Sequence, residues 1–473
     1  MTRHHPTAPL NVMGEGGLAG SAAHPAKVRR RHRPTETATL PHPAETRVLM
    51  KGNEAMAEAA IQAGCDAYFG YPITPQAELL EWMARRMPEE GRAFVQAESE
   101  IAAISMALGA AATGARVLVS SSSPGISLMA EAMSYMAAQE LPMVLINVMR
   151  GGPGLGSIQP SQADYFQAVK GHGHGDYRLP VLAPGSIPEA IELIATSFEL
   201  AERYRTPVFF LTDGIMGQAM EPVEQRFRMP PRQAWDWNVT GADGRPPRVV
   251  KSLHLKADDL EKHNRHLAAK AREMTEREVR WAGVGLDDAE LVVVAYGTAA
   301  RIASTAVDRA RAAGHKVGLF RPITLFPFPT RELRALATRV KGFLVVELSM
   351  GQMVEDVQLA VLGSAPVAFY GRTGGSVPAP GEIVGAIERL ARAVSATDDP
   401  DWGPDPTDLL ALPDEAAASV DEQDADPDPL SLIDEGAWWA AEHAPAEHAP
   451  AEHAPAEHAP AAHAPAEHEV TAR

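Results

Sequence analysis

Short runs of continuous apolar residues alternate along this chain with longer segments whose apolar positions return every three or four residues. "TRVLM", "DAYFG", "RAFVQA", "ARVLVSS", "PMVLINVM" and "PVFFLT" have the unbroken Val/Ile/Leu/Phe character of strands covered on both faces. Between them the period changes. "ELLEWMARRM" predicts an amphipathic helix ended by Pro88, a small-residue helix is expected from about Ser99 to Thr113 with Gly114 closing it, and another is expected over Ile187–Tyr204. Strands and helices in alternation predict a parallel sheet with helices on both faces.

The same pattern divides the chain. Residues 1–45 are rich in Pro, His and Arg and read as a disordered extension. A first α/β block spans 46–232, and a charged segment with helical periodicity, 233–286, connects it to a second block at 287–396 that opens on "ELVVVAYGTAAR". Residues 397–473 form an acidic, Pro-rich stretch followed by "AEHAP" repeats, with His443, His448, His453 and His458 five apart. A proline in every repeat prevents a stable helical face, so the tail reads as a solvated spacer.

Composition narrows the function. A net charge of −18 gives no general attraction for nucleic acid, and the one basic cluster, "KVRRRHR" at Lys27–Arg33, lies in the leader. No apolar run reaches the roughly 20 residues of a membrane span. Cys65 is the only cysteine, which rules out a disulfide framework, fits a reducing cytoplasm, and falls short of the four thiolates that an iron–sulfur cluster usually takes.

In parallel sheets, ligands gather beyond the carboxyl ends of strands. Four segments fall there: "YPITP", "QAESE", "SSSSPG" and "MRGGPGLG". Taken singly, each has an ordinary explanation: prolines fix a turn, serines cap helices, glycines permit positive φ, and the macrodipole favours Glu98 or Glu100 at a helix start. Their shared position at one kind of sheet edge marks a site. "GHGHGD" adds His172 and His174, which fit a flexible loop better than a metal site. The chain lacks a P-loop, a G-x-G-x-x-G after its strands and the H-E-x-x-H motif, which argues against a nucleotide-binding dehydrogenase and a zinc hydrolase.

"MKGNEAMAEAAIQAGCDAYFGYPITP", "QAESEIAAISMALGAAATGARVLVSSSSPGISLM", "NVMRGGPGLGSIQPSQADYFQ" and "GHGHGDYRLPVLAP" together resemble the alpha subunit of 2-oxoacid:ferredoxin oxidoreductases, most closely the branched-chain (3-methyl-2-oxobutanoate, or 2-ketoisovalerate) type. The likeness runs from about Thr46 to Ala396. It implies that the first block is the pyrimidine-binding domain of a thiamine diphosphate enzyme and that the second resembles a transketolase C-terminal domain. It further implies a beta subunit that holds the diphosphate and Mg²⁺. Gamma and ferredoxin-like delta subunits, or fused equivalents, would carry the iron–sulfur clusters, with coenzyme A as co-substrate and ferredoxin as acceptor. This chain has only "TDG" at Thr212–Gly214 in place of the family's Gly-Asp-Gly…Asn diphosphate motif.

By the same resemblance Glu100 is the carboxylate that bonds N1′ of the aminopyrimidine, with Glu98 ranked behind it. Tyr71, Pro72 and Ile73 would line the cofactor. Thr74 and Arg150 would receive the substrate carboxylate, Arg through its forked donors, and Ser122 and Ser123 would line the same pocket. Two alternatives stay open here: the 2-oxoglutarate-specific enzyme of the same family, and a non-catalytic scaffolding subunit whose acid merely ends a helix.

Overall fold

The computed structural model describes residues 47–395 apart from 225, 226, 228, 233 and 234, so the expected extension at 1–45 and the acidic, His-containing tail lie outside the described residues. In chain order the elements of the first part are β1 (Arg47–Lys51), α1 (Gly52–Gln62), β2 (Ala67–Gly70), α2 (Ala77–Glu89), β3 (Ala93–Gln96), α3 (Glu100–Ala112), β4 (Val117–Ser121) and α4 (Ser123–Gln139). There follow β5 (Met143–Met149), α5 (Tyr165–Val169), β6 (Val181–Leu182), α6 (Ile187–Tyr204), β7 (Pro207–Asp213), α7 (Gly214–Gln218), β8 (Met220–Glu224) and α8 (Ala257–Arg277). The remainder comprises β9 (Trp281–Val284), β10 (Leu291–Val294), α9 (Gly297–Ala312), β11 (Val317–Pro322), β12 (Thr324–Phe326), α10 (Thr330–Ala337), β13 (Gly342–Glu347), α11 (Met353–Val361), β14 (Val367–Gly371) and α12 (Pro380–Ser395).

Two compact units result. One contains the described residues up to Ala282 together with Tyr296–Arg301 and Arg321–Pro329; the other contains Gly283–Ala295, Ile302–Phe320 and the described residues from Thr330 onward.

The first unit is built on a seven-stranded sheet in the order β12–β6–β7–β5–β4–β2–β3. From β6 to β3 all pairs are parallel. The edge strand β12 runs antiparallel to β6, with Thr324 opposite Leu182, so the sheet is mixed rather than wholly parallel. Pro322 and Pro327 flank this strand, and an edge tolerates the backbone donors that proline lacks. β5 and β7 are buried at every residue, their apolar runs and the polar Asn147, Thr212 and Asp213 toward their carboxyl ends alike. On one face Met56 and Ile61 of α1, Leu79 and Met83 of α2, and Ile194 and Phe198 of α6 pack with Leu118, Val144, Ile146 and Phe210 of the strands. The alternate strand residues, Val119 and Leu145 among them, point the other way, where α3 and α4 lie side by side.

Helix ends follow the sequence signals with one exception. Ser99 caps α3 by accepting from Ala102 N–H, and Ser186 caps α6 by accepting from Glu189 N–H. Gly114, with φ +86°, follows α3 directly. Pro88 does not stop α2 but sits inside its last turn, and the chain turns out at Gly91, where φ is +67°.

At the amino ends of the strands Arg116 and Glu202 form a buried ion pair, with Nη2 3.0 Å from Oε2. Arg116 also donates to the carbonyls of Ala63, Pro230 and Pro231, so nearly all of its donors are used.

In the second unit five strands lie in the order β14–β13–β10–β11–β9, and β14, β13, β10 and β11 are mutually parallel. Its buried acid, Glu347, ends β13 and accepts from the backbone of Gln352, Met353 and Val354 at the start of α11 and from the Ser349 hydroxyl. Burial raises its pKa against these donors, and the carboxylate occupies the positive end of the helix.

Candidate active site

The carboxyl ends of β2, β4 and β5 and the N-termini of α3 and α4 bring the four sequence segments to one edge of the first unit. Glu100 is the first residue of α3 and is only 6% exposed, whereas Glu98, before the cap, is exposed. Two residues on a helix start point in different directions, and the fold buries only the second acid. Glu100 packs against the backbone of Gly125: a Cβ there would lie 2.6 Å from Glu100 Oε1 and 2.1 Å from Ser121 Oγ. The Ser121 hydroxyl beside it is fully buried without a hydrogen-bond partner in the chain, and so is that of the next residue, Ser122. A carboxylate, an unsatisfied hydroxyl and a missing side chain thus meet at the start of α4.

"YPITP" arrives from the end of β2, with the Thr74–Pro75 peptide cis. Tyr71 and Pro72 are exposed, and Ile73 and Thr74 are half-buried. A buried relay holds this loop: Tyr68 OH lies 2.7 Å from Ser120 Oγ, Ser120 Oγ donates to Gln76 Oε1 at 2.6 Å, and Gln76 Nε2 donates to Tyr71 O. Because the amide oxygen of Gln76 only accepts, Ser120 donates to it and Tyr68 must donate to Ser120. Asn53 Nδ2 anchors the loop's far side by donating to Pro75 O at 2.8 Å and to Glu78.

Arg150 follows directly after β5 and is buried. Its Nη1 donates to Thr74 O at 3.0 Å and its Nη2 to Leu155 O at 3.2 Å, so the guanidinium ties the proline loop to "GGPGLG". Ser123 meets Arg150 from the other side, its Oγ 3.0 Å from Arg150 N. The structure therefore joins Thr74, Arg150 and Ser123 by direct hydrogen bonds and sets Glu100 against Ser121 and Gly125.

Sequence reasoning marked the segment "SSSSPG" without singling out Ser121 or Gly125, and gave no role to Asn147 or Asp164. Asp164 precedes α5 and accepts from Ser123 Oγ at 2.6 Å and Asn147 Nδ2 at 2.9 Å. Burial pushes its carboxyl above the usual aspartate range, against these two donors and the charge of Arg150. A lone acid ahead of an apolar run was the available signal, and it also fits an ordinary helix start.

Three other groups are accounted for locally. Asp213 of "TDG" is buried and accepts from the N–H groups of Ile215 and Met216 and from the Thr298 hydroxyl at 2.8 Å; burial raises its pKa. Cys65 is buried, and burial pushes its thiol up to about 12. His172 is buried between Phe209 and Tyr177 with φ +77°, and neither ring nitrogen has a hydrogen-bond partner. Among the described residues no group of three His, Cys, Asp or Glu side chains is placed to hold a metal ion, and no helix is long and apolar enough to cross a membrane.

Comparison with known proteins adds to this geometry. Residues 58–236 match the family described as pyruvate flavodoxin/ferredoxin oxidoreductase, thiamine diphosphate-binding, and residues 289–383 match pyruvate:ferredoxin oxidoreductase core domain II. A ketoisovalerate oxidoreductase subunit, VorB, from Methanothermobacter marburgensis is 48% identical over 72% of this chain and 97% of its own length. A 2-oxoglutarate synthase subunit, KorA, from Methanothermobacter thermautotrophicus is 35% identical over 73% and 99%. Among solved structures, a 2-oxoglutarate:ferredoxin oxidoreductase from Magnetococcus marinus superposes with a TM-score of 0.65 at 25% identity, over 74% of this chain and 66% of that one. Glu100, Arg150 and the segments around them all lie inside the matched thiamine diphosphate-binding region, and the chain belongs to the 2-oxoacid:ferredoxin oxidoreductase family as one of its subunits.

Proposed function

We propose that this chain is the alpha subunit of a cytoplasmic branched-chain 2-oxoacid:ferredoxin oxidoreductase and supplies the half-site that grips the aminopyrimidine of thiamine diphosphate. The observation that carries this reading is Glu100, buried at the start of α3 against a glycine that leaves room beside it. The site fits that ring in kind: a carboxylate for a ring nitrogen and the unpaired Ser121 hydroxyl beside it, with Tyr71, Pro72 and Ile73 left at least partly exposed to line the cofactor. Thiamine diphosphate, when bound, supplies the carbon nucleophile and the electron sink for decarboxylation of a 2-oxoacid.

The chain's own residues then have separate tasks. Glu100 would hold the aminopyrimidine through N1′, by a hydrogen bond that partial burial strengthens. Arg150, anchored through Thr74 O and Leu155 O, receives the substrate carboxylate, with Thr74 beside it. Ser122 and Ser123 line the same end.

The diphosphate and Mg²⁺ fall to a beta subunit, because Asp213, the acid of "TDG", is already engaged in capping α7 and in receiving Thr298. The electron-carrying clusters fall to further subunits, since the single thiol of this chain is buried and held protonated. Coenzyme A takes the acyl group and ferredoxin the electrons. The branched-chain substrate is favoured over 2-oxoglutarate by the higher identity to the ketoisovalerate subunit.

The test is Glu100→Gln in the assembled complex. Assembly and cofactor content should persist while acyl-CoA formation from 3-methyl-2-oxobutanoate drops about 100-fold or more. Undiminished turnover would overturn the assignment and leave the scaffolding role. Faster acyl-CoA formation from 2-oxoglutarate than from 3-methyl-2-oxobutanoate in the unaltered complex would overturn the substrate.

A further inference from the structure

Asp164, Asn147 and Ser123 form a closed hydrogen-bonded ring behind Arg150. Ser123 N–H donates to Asn147 Oδ1 at 3.1 Å, which fixes the orientation of the amide. Asn147 Nδ2 then donates to Asp164 Oδ2 at 2.9 Å, and Ser123 Oγ–H donates to the same oxygen at 2.6 Å. With its one proton committed, Ser123 Oγ has only lone pairs left, and it accepts from the Arg150 backbone N–H at 3.0 Å. The three members come from the end of β5, the start of α4 and the start of α5. Asp164 and Ser123 lie 41 residues apart in sequence, so the ring closes only in the folded chain.

We propose that Asp164 is a positioning residue for the 2-oxoacid carboxylate, acting through Ser123 to hold the Arg150 backbone in place. The inference rests on the reading of Arg150 as the carboxylate-binding group. The ring locks the arginine's main chain from one side while Thr74 O and Leu155 O hold its guanidinium from the other. Freed of the ring, Arg150 keeps its charge but loses its fixed direction, and a bidentate grip on a carboxylate depends on direction. Both bonds fall on Oδ2 alone, so an amide at 164 could turn its oxygen to the same place and keep them; Asp164→Ala removes the acceptor outright.

The assembled complex should be assayed with Asp164→Ala, Ser123→Ala and Arg150→Gln. For Asp164→Ala and Ser123→Ala the expected result is a KM for the 2-oxoacid raised about tenfold or more, kcat within about threefold and an unchanged KM for coenzyme A. A neutral 2-oxoamide inhibitor should bind these variants as it binds the unaltered complex, since it lacks the carboxylate. Joining the Asp164 and Ser123 changes should raise KM little beyond either alone. If Arg150→Gln raises KM while the other two do not, the positioning role fails and the assignment of Arg150 stands. If Arg150→Gln leaves KM unchanged, the assignment of Arg150 fails and takes the positioning role with it. An equal loss in every kinetic constant for Asp164→Ala and Ser123→Ala would make the ring a general scaffold and overturn the proposal.

Discussion

Gly125 gives Glu100 the space it occupies: any side chain at 125 would meet Glu100 Oε1 at 2.6 Å, and Glu100 Cγ at 2.9 Å, from its first carbon. Gly125→Ala should therefore displace the carboxylate without deleting it. Turnover should fall about 100-fold, close to the loss from removing the charge itself. The crowding should also cost about 1–3 kcal/mol of stability. Steady-state kinetics beside denaturant unfolding separates the two effects. Full activity in this variant would show that Glu100 has no fixed place in the reaction.

His172 makes stability depend on acidity. Burial lowers its pKa from 6.5 to about 3, with a smaller contribution from nearby Arg178. Between those values the unfolded chain binds a proton that the folded chain refuses. The stability tied to the neutral ring is thus complete above about 6.5 and drains away as the pH falls toward 3. Asn tolerates the left-handed backbone at this position, so His172→Asn should flatten the decline in unfolding free energy between pH 7 and pH 4. An equally steep decline in the variant would assign the acid sensitivity to other groups.

Arg116 provides a contrast at the opposite edge of the sheet. Arg116→Met leaves Glu202 buried without its cation, which should cost about 3–5 kcal/mol. Thermal unfolding should show that loss, while KM for the 2-oxoacid in the surviving complex stays as it was. A changed KM would mean that the amino edge of the sheet communicates with the site.

The elements legible in the sequence were those with a strong period. The helix expected over Ser99–Thr113 spans Glu100–Ala112, and the one expected over Ile187–Tyr204 has those bounds. β12 was not legible, because three residues between prolines have no period to read; only pairing with β6 makes them a strand. The segments at the strand ends could be named in advance because a parallel sheet sends them all to one edge. Glu100 was set ahead of Glu98 by the family motif, and the fold buries the first and leaves the second exposed. What stayed hidden were groups defined by distant neighbours. Gly125 looks like any helical glycine until Glu100 is packed against it, and Asp164 looks like a helix start until Ser123 and Asn147 reach it.

The membership of β12 bears on how this protein can be dissected. A fragment that stops anywhere from 283 to 320 would retain α1 to α8 yet forfeit the strand that shields β6, along with Thr298 for Asp213 if the cut precedes it. The exposed backbone of β6 would then be an open template for other chains. Expressing the first unit alone thus calls for the returning strand to be grafted back through a short linker, and a plain C-terminal truncation should yield insoluble material.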